Sequence, residues 1–82
     1  MNFNAYPNPA TDNLTVEFNS AQNMPYEIKL TDLSGRIVSV TKGKASEELN
    51  SAKIDVSSFA PGLYIISLET NGNVIQSRMV IQ

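Results

Sequence analysis

Apolar and polar residues alternate with period two along most of this chain, and the 3.6-residue period of a helix is nearly absent, so the pattern predicts strands. Leu14, Val16 and Phe18 alternate with Asn13, Thr15 and Glu17, and Tyr26, Ile28 and Leu30 alternate with Glu27, Lys29 and Thr31. Each set reads as a half-buried strand. The run Asp32-Leu33-Ser34-Gly35 predicts a turn, in which Asp32 accepts backbone amides further along and Gly35 takes a positive φ. Arg36 to Thr41 is the next strand, carrying Ile37, Val38 and Val40. Residues 42–50 are polar and include Gly43, Glu47 and Glu48, which predicts a surface loop with room for one helical turn. Ala52 to Val56 is a short strand with Ile54 and Val56 inward. After a compact connection over 57–61, Gly62 to Thr70 is apolar on both faces, the pattern of a central strand covered on both sides. Asn71-Gly72 then predicts a type I′ hairpin turn into a last strand from Val74 to Ile81. Residues 3–6 are an edge strand ended by prolines.

Strands punctuated every 8–12 residues or so imply an all-β fold, a small antiparallel β-sandwich of about seven strands with Greek-key connections. Tight hairpins join the third to the fourth strand and the sixth to the seventh. Longer connections at 19–25, 42–50 and 57–61 allow crossings between two sheets. An open barrel uses the same strands, and periodicity does not distinguish the two. Eighty-two residues make a single domain, 1–82, of limited stability. The chain reads as a piece excised from a larger protein. Its last strand is apolar up to Ile81, and chain ends fray unless something holds them, so the end itself is expected to be used.

Composition removes most chemistry. There is no His and no Cys, so the commonest general base, the thiol nucleophile and most zinc sites are missing together. Asp12, Asp32 and Asp55 sit at turns or strand ends, where aspartate caps amides more often than it binds calcium. The four glycines are dispersed and form no phosphate loop. A net charge of −2 without a basic cluster argues against nucleic acid, and no apolar run is long enough for a membrane-spanning helix. Neither catalysis, a metal nor a cofactor is expected. With no Trp, a sugar-stacking platform has little to build on, and Tyr26 and Tyr64 read as core residues with hydroxyls at the rim. Tyr6 reads as a staple holding the first loop onto the sandwich. Arg78 and Gln76 share the outward face of the last strand, opposite Ile75 and Met79, where a solvated arginine is ordinary.

Several short motifs follow one another in a telling order: Tyr6-Pro7-Asn8-Pro9, Leu14-Thr15-Val16, Leu30-Thr31-Asp32-Leu33-Ser34-Gly35-Arg36, Ile54-Asp55-Val56, Leu63-Tyr64 after Pro61-Gly62, and a final strand with Arg78, Met79, Val80 and Ile81. Each alone fits many turns. Together they span nearly the whole chain, which resembles the type A C-terminal sorting domain of the type IX secretion system of Bacteroidota.

The resemblance implies a signal rather than a catalyst. It implies a β-sandwich that follows a cargo domain in cis, directs that cargo across the periplasm and through the outer-membrane translocon, and delivers it to the cell surface or medium without entering the membrane itself. A shuttle protein and a sortase-like peptidase would recognise the domain; in the family the peptidase commonly cuts upstream of it, and other members are simply released. By position, Pro7, Asn8, Pro9, Asp32, Gly35, Gly62, Tyr64, Arg78, Met79, Val80 and Ile81 match the family's hallmarks. Many members carry Lys where Arg78 stands and a charged residue where Gln82 stands. The prolines are expected to keep residues 6–8 extended, and Gly35 and Gly62 to permit turns. Recognition is expected at the last hairpin, by addition of a receptor strand beside it. The contrasting reading is a fibronectin-like spacer, or an adhesion or carbohydrate-binding module of a secreted protein.

Overall fold

The computed structural model describes residues 3–20, 23–46, 48–70 and 72–82. Its strands are β1 (Phe3–Tyr6), β2 (Asn13–Ser20), β3 (Met24–Thr31), β4 (Ile37–Ala45), β5 (Glu48–Asp55), β6 (Gly62–Thr70) and β7 (Asn73–Ile81). They form two separate sheets, β1-β2-β5 (sheet A) and β4-β3-β6-β7 (sheet B), with every strand pairing antiparallel. The chain changes sheet after β2, β4 and β5, and β6 returns beside β3 in Greek-key fashion. The fold is therefore a sandwich and not a barrel. Period-two alternation is what fills it. Leu14, Val16 and Phe18 of β2, Ile28 and Leu30 of β3, Tyr64, Ile66 and Leu68 of β6, and Met79 and Ile81 of β7 are all buried in one cluster. Burying side chains of this size contributes roughly 1.5–3 kcal/mol each.

Three expectations need correction. Residues 42–50 are not a loop: β4 runs through Ala45 and β5 begins at Glu48, leaving a short crossing between the sheets. Their inward positions are small or polar, so they lack an apolar signature. Gly43 lies opposite Tyr26, whose ring occupies the space its side chain would fill; a Cβ there would sit 2.5 Å from the tyrosine oxygen. Tyr26 in turn meets Phe18 edge-on at 5.0 Å between centroids. At the crossing, the Asn50 Oδ1 accepts from the Ser46 amide at 2.8 Å, and its Nδ2 donates to the Ser46 carbonyl at 2.9 Å.

The second correction concerns β6. It is central in its sheet, but only Tyr64, Ile66 and Leu68 enter the core; Leu63 and Ile65 lie half-buried on the outer face. A two-layer antiparallel sandwich covers one face of each sheet. The third concerns the prolines, since the chain bends through Pro7–Pro9, with cis bonds at Tyr6–Pro7 and Asn8–Pro9. Gly72 has φ +76°, as a tight turn requires, while Asn71 lies outside the described residues.

Candidate functional site

The connection from β1 to β2 leaves sheet A and visits the outer edge of β7. There Ala10, fully buried, forms a parallel bridge with Ile81. Its amide donates to the Val80 carbonyl at 2.8 Å, and its carbonyl accepts from the Gln82 amide at 2.8 Å. The Asn8 Oδ1 accepts from the Val80 amide at 3.1 Å. Asn8–Ala10 thus serves as a short surrogate strand on the end of β7. Bends at the two prolines bring Asn8 and Ala10 there from sheet A. The chain then returns to sheet A, where the Asp12 carbonyl accepts from the Val56 amide at 2.9 Å.

Two further connections close around the start of β6. In the Asp32–Arg36 turn, the Asp32 Oδ1 accepts from the Ser34 amide, the Ser34 hydroxyl and the Arg36 amide at 3.0, 2.7 and 3.0 Å. These bonds favour the ionised carboxylate, the Ser34 hydroxyl most of all, and hold its pKa below the ordinary 3.8. Gly35, at φ +90°, supplies the left-handed residue the turn needs. Asp55 does similar work two connections later, accepting from the Ser57 hydroxyl and amide at 2.6 and 2.9 Å, and its pKa is lowered for the same reason. The Tyr64 hydroxyl donates to the Ala60 carbonyl at 2.6 Å, a corner that ties the 57–61 connection to the buried ring. A groove of about 430 Å³ lies between this connection and the Asp32 turn. Gly62 opens β6 beside it, at φ +156°.

The register joins these parts. Gly62 pairs with Ile81, Leu63 with Val80, Tyr64 with Met79 and Ile65 with Arg78. The residues expected from the resemblance therefore converge on one end of sheet B, although they are scattered from position 7 to position 81. Met79 and Ile81 are buried, whereas Arg78 and Val80 point outward. Tyr6 does not staple the core. It lies on the outer face of sheet A, where a hydrogen bond to the Glu17 carboxylate raises its pKa above 10.0.

Sequence reasoning missed the outer-face patch. Ile37, Thr31, Ile65 and Arg78 lie in one row across the four strands, with Leu63 and Val80 alongside. The signal was present in the second apolar face of β6, which marks exposed surface rather than a covered layer. Cations gather on this sheet as well: Lys29, Lys42, Lys44 and Arg78 stand on its strands and Arg36 at its turn, with Lys53 alone on sheet A. Glu27 engages Lys29 at 3.2 Å and Lys42 at 3.8 Å. Arg78 makes no ion pair among the described residues.

A family model for the secretion system C-terminal sorting domain matches residues 4–82. The chain belongs to this family. The sorting domain is accordingly a type IX secretion signal of all-β fold. Among solved structures it resembles part of dimeric latent PorU from Porphyromonas gingivalis, with TM-score 0.80 and 20% identity, over 96% of this chain and 9% of that one. At that identity the likeness concerns the fold. The chain spans about a tenth of that protein's length. No curated protein matches it in sequence.

Proposed function

We propose that residues 1–82 act as one non-catalytic export unit for a cargo domain joined upstream. The cargo crosses the periplasm and passes the outer-membrane translocon to the surface or medium. A shuttle protein and a sortase-like peptidase recognise the sorting domain, and the peptidase cuts ahead of it. The observation that carries this reading is the family match across residues 4–82.

Roles divide between residues that shape the fold and residues that face solvent on β7. Pro7, Asn8, Pro9, Asp32, Gly35, Gly62 and Tyr64 build the end of sheet B, and Met79 and Ile81 seat β7 in the core. Arg78 and Val80 are exposed and meet the partner. Deleting residues 77–82 would strip two buried side chains at about 2–5 kcal/mol each, so truncation unfolds the domain and says little about recognition. The test is an intact fusion: a periplasm-targeted fluorescent protein ahead of residues 1–82, in a Bacteroidota host with and without its translocon. The expected result is translocon-dependent appearance of the fluorescent protein outside the cell. Retention in the periplasm of both hosts overturns the reading.

A further inference from the structure

We propose that the partner adds a strand to β7 only across Val74–Arg78, and that Asn8–Ala10 is the built-in stop that sets its register. This rests on the export reading and specifies how that recognition works. Both the amide and the carbonyl of Val80 point away from β6, to Asn8 and Ala10, and the Gln82 amide does the same. Amides of alternate strand residues point the same way, so those of Val74, Gln76 and Arg78 also face outward. No strand lies beside them among the described residues. The window is bounded by the Gly72 turn on one side and the Asn8–Val80 bond on the other. A strand slipped toward Gln82 collides with the surrogate strand, and one slipped the other way runs off the turn. The occupant is an extended polypeptide segment with an acidic side chain on the outer face. There it meets Arg78, the single charged residue of β7, which has no carboxylate of its own among the described residues.

Proline at an outward-facing edge position keeps the fold but removes the donor and blocks an added strand. Gln76→Pro in the same fusion is therefore expected to melt close to the wild-type domain and to lower export on the order of tenfold, the loss of roughly one backbone hydrogen bond. Gln76→Ala, which keeps the amide, exports normally. If Gln76→Pro melts early, Val74→Pro, nearer the turn and with its amide in the same direction, takes its place. Normal export of a folded proline variant overturns the proposal while the wild-type fusion still upholds the sorting signal; failure of the wild-type fusion overturns the sorting signal itself. Arg78→Glu is expected to lower export and Arg78→Lys to preserve most of it. Sedimentation decides the occupant: self-association of the wild type that Gln76→Pro abolishes would make it a second copy and overturn the assignment to an acidic strand.

Discussion

At the end of sheet B where β6 begins and β7 finishes, three connections from distant parts of the sequence meet. Asn8, Asp32 and Tyr64 each tie one of them down with a side-chain bond to backbone, and apolar and cationic groups stay exposed around them. At the opposite end, around Met24, Ala45 and Thr70, none of the residues expected from the resemblance occurs. Closure there uses other means: a tyrosine ring over a glycine, the Asn50 bonds at the crossing, and the Thr70 hydroxyl donating to the Pro25 carbonyl at 3.1 Å. Under the proposed export role the far end serves folding alone, whereas the near end must fold and also present a surface, so damage there should cost export beyond what it costs stability.

The largest effect belongs to the far end. Gly43→Val drives methyl groups into the Tyr26 ring and should destabilise by about 3 kcal/mol, lowering the melting temperature by roughly 15 °C. Measured at a temperature where the variant is folded, its fusion should export like the wild type. A folded Gly43→Val fusion that stays in the periplasm would break the contrast between the ends. Tyr64→Phe leaves the Ala60 carbonyl without its partner at the near end and should cost about 1.5 kcal/mol by thermal melting. Its export should fall further than that loss of stability accounts for.

The smallest effect is set by pH. Asp32 and Asp55 have folded pKa values below 3.8, so the unfolded chain takes up protons first as the solution is acidified. Their stabilisation is complete above that value and is lost as pH falls through it and on through the folded values. Melting curves should slide down in that window, and Asp32→Asn should flatten the slope while leaving the curve of Asp55 in place. A slope unchanged in Asp32→Asn would remove the polar clamp from the near end.

Much of this architecture was legible because burial and alternation coincide. β2, β3, β6 and β7 carry their large residues at inward positions, and Asp32-Leu33-Ser34-Gly35 spells its own turn. The end of β4 and the start of β5 were not legible, because Gly43, Ala45 and Asn50 face inward and offer pattern reading no apolar bulk. What fills that space is the Tyr26 ring, a partner seventeen positions away. At the candidate site, the turn residues Asp32 and Gly35 could be picked out individually. That Asn8 reaches Val80 could not, since no local rule links positions so far apart; nor could periodicity tell which face of β6 meets water.

The surrogate strand has a mechanical consequence. Ala10 and Ile81 run in the same direction, one on the incoming side of the fold and the other on its final strand. Tension applied between residue 7 and Gln82 would draw these two segments past each other along their length. The bonds at Asn8, Ala10 and Gln82 would then share the load in shear instead of opening one at a time, and resistance to pulling would rest on that short clasp more than on the whole interior.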